Sequence, residues 1–229
     1  MDIALESSNR ISRTTRWPGI VAGTAAILLG CSLLAYVVLF ALWLASTGVN
    51  IDGDPAAQPA KMAQQLINGA ATPMWLFYLL LGALAVIAVA TSTALAKRIS
   101  SPTVAAMGTA ALAVLAVTML VTAAVTERAG SGTLPKAQLE QAIPVLFGVV
   151  IPALLGAFCL IYALWILTLS LLGWRNRSVP RWLCIVGALT GVLMLAGVSG
   201  APGVEVLGAP WLICAGVWLI RSRPKADPI

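Results

Sequence analysis

Two short segments contain residue types that could do chemistry. Residues 197–200 read Gly-Val-Ser-Gly, a pattern found around serine nucleophiles, and residues 50–54 read Asn-Ile-Asp-Gly-Asp, like the start of a calcium loop. A serine nucleophile needs a general base, and the sequence contains no histidine. In the calcium pattern the glycine stands at the fourth position instead of the sixth, and Lys61 replaces the closing glutamate. We therefore predict no catalytic residue, no metal site and no cofactor. Residues 50–54 are interpreted as a solvated turn, with a weak surface cation site as the alternative.

Composition places the chain in the membrane-protein class. Of its 229 residues, 60% are hydrophobic and 10% are charged, and the mean hydropathy is +0.96. Soluble globular domains have much lower values. The net charge is +6, but the basic residues are scattered among short segments, which argues against nucleic acid as a partner. The cysteines form no Cys-x-x-Cys pair and are interpreted as small packing residues: Cys31, Cys159, Cys184 and Cys214.

Six apolar stretches have no Asp, Glu, Lys or Arg in their interiors. Because a helix needs about 20 apolar residues to cross a bilayer, we predict an all-α, polytopic transmembrane bundle of six spans. The spans cover about 19–45, 73–95, 104–125, 143–172, 182–198 and 206–220. Residues 1–18 are predicted to be a basic cytoplasmic segment, 19–220 the transmembrane domain, and 221–229 a cytoplasmic tail.

Basic residues are distributed unequally between the two sides that these spans define. Eleven lie on the side of the termini, and three lie on the other side: Lys61, Arg128 and Lys136. Since Lys and Arg concentrate in cytoplasmic segments, both termini are predicted to be cytoplasmic. Seven of the eight tryptophans, including Trp211, lie near predicted span ends, as expected for indoles in the headgroup region, whereas Trp165 lies deeper.

The last two predicted spans are close to or below the lower length limit of about 17 residues, and Pro210 interrupts the sixth. A re-entrant hairpin is the alternative, because it would also leave Arg181 and Arg221 on one side. We favour two crossings, since the polar turn at 199–203 suits an exit into water.

Small residues predict where the helices pack, because helices in lipid associate through close contact. Gly19 with Gly23, and Gly187 with Gly191, have Gly-x-x-x-Gly spacing. Two further stripes are Gly148, Pro152, Gly156, Cys159 and Ala163 in the fourth span, and Ala106, Ala110, Ala113 and Val117 in the third. We expect these faces to contact helices of the same chain, with a homodimer seam as the alternative. Pro152 is expected to bend the fourth helix, either as a tolerated kink or as the wall of a cavity.

The predicted spans contain hydroxyl side chains but no charges in their interiors. An ion-coupled carrier would normally show a charge there. The hydroxyls could line a polar path, although such groups more often donate to carbonyls of their own helix. They are Thr91, Ser92, Thr93, Thr118, Thr122, Thr168 and Ser170.

The order of these features resembles a bacterial family of six-span membrane proteins known only as a domain of unknown function. After the basic N-terminus, the segments that carry the resemblance are 63–68, 95–98, 101–102, 164–165, 171–175, 178–183 and 211–221. The most specific is the inner turn with Ser178, Pro180 and Trp182, followed by a Gly-rich span. The resemblance implies a six-helix fold and a location in the bacterial plasma membrane, and it implies no site residues.

We predict a binding, regulatory or accessory membrane component without catalysis. The alternative is a small carrier or channel for an uncharged or lipophilic solute, and a lipid-modifying enzyme comes third. The expected partners are the lipid bilayer and either a lipophilic ligand or another membrane protein. The sequence does not indicate the oligomeric state.

Overall fold

The computed structural model describes residues 17–47, 74–131, 135–196, 198 and 204–222, and within these ranges the chain is helical apart from turns. The helices are α1 Trp17–Thr47, α2 Met74–Ile99, α3 Pro102–Gly130, α4 Lys136–Val145, α5 Ile151–Arg175, α6 Arg181–Ala196 and α7 Ala209–Arg221. A π-helical turn, Leu146–Val150, joins α4 to α5, and a 3-10 turn, Val204–Gly208, precedes α7. The all-α prediction is confirmed. The predictions for 50–54 and for most of 197–200, and the segment 63–68 of the resemblance, lie outside the described residues.

Four helical stretches are long and apolar enough to cross a membrane. They are Pro18–Leu42, Met74–Ile99, Pro102–Gly130 and Ala137–Arg175, of 25, 26, 29 and 39 residues. Helices α6 and α7 are shorter, with 16 and 13 residues. The lengths and compositions of the four long stretches support the membrane-protein class predicted from the sequence.

The fourth predicted span is the middle of a longer helix. It was predicted to cover 143–172, whereas the continuous helical stretch is Ala137–Arg175. The sequence also predicts that 135–141 could begin the fourth helix early with Leu139 turned inward. The helix begins at Lys136, and Leu139 is 5% exposed. Helix formation therefore extends beyond the apolar residues, and a polar segment brings one apolar side chain to the core.

A widened turn precedes Pro152. The N–H of Ile151 donates to the carbonyl of Leu146, five residues back, and Pro152 itself has no N–H to donate. The extra residue in such a turn rotates the preceding helix relative to the following one. Gly156, Cys159 and Ala163 are buried, whereas Gly148, which lies within the turn, is exposed. Gly148 therefore does not share the buried face of the stripe predicted for this span.

The packing stripe predicted on α3 is wrong. Its four members are exposed: Ala106, Ala110, Ala113 and Val117. The buried face instead includes Gly108, Leu112, Leu115 and Met119. Alanine occurs on every side of α3, so small size alone does not identify the packed face of this helix.

Close backbone contacts and one hydrogen bond order the helices. Helix α1 packs between α2 and α7, α3 packs between α2 and α5, and α6 packs on α5. A Cβ atom on Gly23 would lie 2.6 Å from the carbonyl oxygen of Gly216, and one on Gly216 would lie 2.5 Å from the carbonyl oxygen of Gly23. The hydroxyl of Thr91 on α2 donates to the carbonyl of Ala22 on α1 at 2.7 Å. Helices α1 and α7 therefore meet backbone to backbone, which only glycine permits.

The α2–α3 and α5–α6 turns have the same backbone geometry. Ser100 and Arg177 adopt left-handed conformations, with φ of 58° and 52°. The following N–H, of Ser101 or Ser178, donates to a carbonyl five residues back at 3.2 Å in both turns. This pattern is a Schellman motif, which satisfies carbonyls at a helix end. Both turns are therefore short and fixed by backbone hydrogen bonds.

Candidate functional site

Four aromatic side chains meet inside the bundle. Phe158, Tyr162 and Trp165 come from α5 and Trp211 comes from α7, and all are at most 1% exposed. The ring centroids of Trp165 and Trp211 lie 5.5 Å apart with an interplanar angle of 79°, and those of Tyr162 and Trp165 lie 5.5 Å apart at 65°. These edge-to-face arrangements are favourable because a positive ring edge meets a negative ring face. We call these four side chains the aromatic core.

The two tryptophans of the aromatic core lie at one depth in the bundle. Trp165 and Trp211 each precede the arginine that ends their helix, Arg175 or Arg221, by ten residues. At about 1.5 Å per residue, both indoles are about 15 Å from that end. This distance is half of a hydrocarbon core of about 30 Å.

Each of the three largest rings packs against a glycine. A Cβ atom on Gly108 of α3 would lie 2.5 Å from Cε2 of Trp165, and one on Gly187 of α6 would lie 2.8 Å from Nε1 of Trp211. A Cβ atom on Gly208, just before α7, would lie 2.7 Å from Cε1 of Tyr162. Each ring thus occupies the space that a side chain larger than glycine would fill. Through these rings, α5 contacts α3 and the start of α7, and α7 contacts α6.

Three polar atoms in or beside the aromatic core are buried without a hydrogen-bond partner. They are Nε1 of Trp165, Nε1 of Trp211 and Oγ of Ser170. By contrast, the hydroxyl of Tyr162 donates to the carbonyl of Gly208 at 3.2 Å. A buried donor without an acceptor costs about 1–3 kcal/mol. Ser170 Oγ and Trp211 Nε1 both border Gly187, so two of the three groups lie beside one another, and this part of the core is the candidate functional site.

The hydroxyls that the sequence singled out on α2 and α3 have partners, although Thr93 is exposed. Those of Thr93, Thr118 and Thr122 donate to carbonyls of their own helices, at 2.9, 2.7 and 2.7 Å. Ser92 Oγ lies 3.1 Å from the hydroxyl oxygen of Thr109 on α3, and Thr91 donates to α1 as described. These hydroxyls tie helices together or bond back to their own backbone, which does not support a polar path along α2 and α3.

The glycines singled out from the sequence occupy different environments. Gly23 contacts α7, and Gly19 is less tightly packed, with a Cβ position 3.5 Å from the carbonyl oxygen of Leu219. On α6, Gly187 borders Ser170, and a Cβ atom on Gly191 would lie 3.2 Å from the carbonyl oxygen of Ala163. Gly156 is buried, Pro152 is half-buried and Gly148 is exposed.

Sequence reasoning missed the role of Trp211. It was assigned to the headgroup region because it lies near the start of a predicted span, but its side chain is fully buried. The 3-10 turn Val204–Gly208 lengthens the segment before it and moves it away from the end. Its ten-residue spacing from Arg221, which equals that of Trp165 from Arg175, is a signal that could have located it.

Basic side chains meet tryptophans at the end of the bundle that contains both short turns. An Nη atom of Arg98 donates to the carbonyl oxygen and to Oγ of Ser222 at 3.3 and 3.1 Å, and its guanidinium lies 5.8 Å from the ring centroid of Trp218. The guanidinium of Arg181 lies 5.6 Å from the ring centroid of Trp174. Arg98 therefore fixes the end of α7 to the end of α2.

The fold and the site define a helical membrane protein with an aromatic interior. Comparison of the chain with protein-family models, with curated proteins and with solved structures finds no match. The resemblance to the six-span family stays a prediction. Among the described side chains, no group of three or more His, Cys, Asp or Glu residues could hold a metal ion.

The two kinds of buried hydroxyl give a matched test. Ser170→Ala removes a hydroxyl without a partner, so the variant is expected to unfold at the same temperature as the parent or higher. Thr91→Val removes the hydrogen bond to Ala22 and is expected to lose about 1 kcal/mol. Thermal unfolding in detergent measures both. An equal loss in the two variants would show that Ser170 has a partner in the folded protein.

Proposed function

We propose that this chain is a six-span protein of the bacterial plasma membrane with both termini in the cytoplasm. We further propose that it acts without catalysis, as a binding, regulatory or accessory component of a membrane assembly. The observation that carries the functional part is the aromatic core, because it fills the bundle interior at mid-depth. The lengths of the helices and the positions of their charged ends support the topological part.

The dimensions of the last segments support six crossings. At about 1.5 Å per α-helical residue and about 2 Å per 3-10 residue, the 3-10 turn and α7 together reach about 30 Å. The contacts of Arg98 with Ser222 and Trp218 hold the ends of α2 and α7 at one level. Two crossings between Arg181 and Arg221 and a re-entrant hairpin both return the chain to this level, so the support for two crossings comes from the reach of the last segment.

The packing of the interior supports a binding or accessory role over transport. Three aromatic rings fill the positions opposite Gly108, Gly187 and Gly208. On α3, the hydroxyls donate to carbonyls of the same helix at Thr118, Thr122 and Thr126. A transport path needs hydrated or exchangeable polar groups along its length. The described interior instead offers fixed rings at mid-depth, so we expect the exposed surfaces to carry the interactions.

Cysteine labelling tests the topology. Single cysteines are introduced at Ser131, Asn176 and Ser199 of a variant in which alanine replaces the four native cysteines. With a membrane-impermeant maleimide on intact spheroplasts, Ser131→Cys and Ser199→Cys are expected to react, and Asn176→Cys only after permeabilisation. Reaction of Asn176→Cys in intact spheroplasts would contradict the orientation. Failure of Ser199→Cys to react on either side would favour the re-entrant hairpin.

A carrier for an uncharged or lipophilic solute is the second candidate, and the three unpartnered polar groups favour it. Two indole N–H donors and one hydroxyl could bind a molecule that carries carbonyl or ether oxygens without a charge. Such a ligand would recover the free energy that these groups otherwise lose by burial. Access to the site would require the rings of Trp165 and Trp211 to move apart.

Solute flux separates the two candidates. The proposed role predicts that reconstituted vesicles take up glycerol and urea at the rate of protein-free vesicles, because the rings close the interior. Stopped-flow light scattering at several protein densities gives this rate. A rate that rises in proportion to protein density, and changes in Trp211→Ala, would contradict the closed interior and favour the carrier.

A further inference from the structure

The α5–α6 turn concentrates positive charge without a nearby carboxylate among the described side chains. Arg175, Arg177 and Arg181 are all exposed. The described carboxylates, Glu127 and Glu140, lie toward the opposite ends of long helices. Glu140 precedes Arg175 by 35 residues of continuous helix, which is on the order of 50 Å at 1.5 Å per residue. No described carboxylate is therefore close enough to neutralise the three guanidinium groups, which are free to bind an anion from outside the described chain.

Two tryptophans indicate the depth of this turn. Trp174 and Trp182 are 49% and 50% exposed, and half-exposed indoles at the ends of apolar helices lie in the headgroup layer. The guanidinium of Arg181 stacks over the ring of Trp174, with Cζ 5.6 Å from its centroid. The arginines of this turn are thereby placed in the layer that contains lipid phosphates.

Arginine is an unfavourable residue at two positions of this turn, so its presence at both is informative. Arg177 adopts the left-handed conformation, with φ of 52°, at a helix-end position where glycine is usual. Arg181 is the first residue of α6, where the helix dipole favours a negative charge. Val179 packs closely against Gly173: a Cβ atom on Gly173 would lie 2.9 Å from Cγ2 of Val179. Backbone outliers held in place by surrounding contacts are a reason to look for function.

Apolar side chains continue from the arginines toward the bilayer centre. Leu171 lies one helical turn before Arg175 and is 70% exposed, and Ile185 lies one turn after Arg181 and is 50% exposed. Leu164 and Leu189 extend the two exposed rows. Residues four apart share one helix face, so each row leads away from a guanidinium. A diacyl lipid has this combination of an anionic head and two apolar chains.

We infer that the α5–α6 turn binds the phosphate of an anionic diacyl phospholipid, through Arg175, Arg177 and Arg181, with the acyl chains along Leu171 and Ile185. This inference rests on the proposed function, because it requires that the chain lies in a membrane. It identifies one partner of the exposed surface of the protein. The α2–α3 turn, with the same backbone geometry, does not fit this role, because Arg98 there is engaged with Ser222 and Trp218. Binding of this kind is strongest in a leaflet rich in anionic lipid.

Two charge-matched double variants of the full chain test the inference. Arg177→Gln/Arg181→Gln removes two positive charges from the turn, and Lys97→Gln/Arg221→Gln removes two from neighbouring helix ends. The delipidated proteins are titrated in detergent with phosphatidylglycerol, phosphatidylcholine or inorganic phosphate. Thermal unfolding and native mass spectrometry measure stabilisation and retained lipid.

Phosphatidylglycerol is expected to stabilise the parent and the Lys97→Gln/Arg221→Gln control, and to bind the Arg177→Gln/Arg181→Gln variant about tenfold more weakly. Phosphatidylcholine and inorganic phosphate are expected to have little effect. The inference is overturned if both double variants bind phosphatidylglycerol equally, if phosphatidylcholine binds as well, or if inorganic phosphate alone reproduces the stabilisation.

Arg177→Gly separates lipid binding from a structural role. Glycine relieves the left-handed conformation, so without lipid the variant is expected to unfold at a higher temperature than the parent, yet to gain less from phosphatidylglycerol. A gain equal to that of the parent would contradict the role of Arg177. These titrations do not depend on orientation. If lipid binding is selective but cysteine labelling gives the opposite orientation, the proposed function alone is overturned. If labelling gives the expected orientation but lipid binding is not selective, the lipid site alone is overturned.

Discussion

The architecture depends on large aromatic rings that pack directly against glycines of neighbouring helices. Trp165 lies against Gly108, Trp211 against Gly187 and Tyr162 against Gly208. Lipid is as apolar as the side chains, so burial alone gives helices little reason to associate, and close contact must do so. Three such contacts connect α5 to α3 and to the start of α7, and α7 to α6, while Gly23 and Gly216 join α1 to α7.

Because of these contacts, the interior and the surface of the bundle differ in the interactions that they can make. The rings close the centre and leave two indole N–H groups and one hydroxyl without partners, whereas the charges lie at the helix ends. The two short turns share one backbone geometry but differ in use: Arg98 binds Ser222 within the bundle, and the arginines of the α5–α6 turn face outward. An interior fixed by rings and a basic exposed rim fit a protein that acts through its surface.

Hydropathy predicted the helical class and the long helices, because long apolar stretches have few alternatives to helix in a membrane. It could not assign faces. Ala106, Ala110 and Ala113 of α3 have the spacing of a packing stripe but are exposed, because alanine suits either a buried or an exposed position. Gly148 and Trp211 were misplaced for local reasons, a π-helical turn before Pro152 and a 3-10 turn before α7, which periodicity does not reveal. The ring-to-glycine pairs join distant parts of the chain and require the three-dimensional arrangement.

A double-mutant cycle between Gly108 and Trp165 tests this account most directly. Gly108→Ala places a methyl group where the indole lies and is expected to destabilise the bundle, and Trp165→Leu is expected to do so by leaving a cavity. In the combined variant the methyl group occupies part of that cavity. We predict a combined loss in the free energy of unfolding that is smaller than the sum of the single losses, by about 1 kcal/mol or more. Strictly additive losses would show that the ring and the glycine do not depend on each other, and would contradict the account.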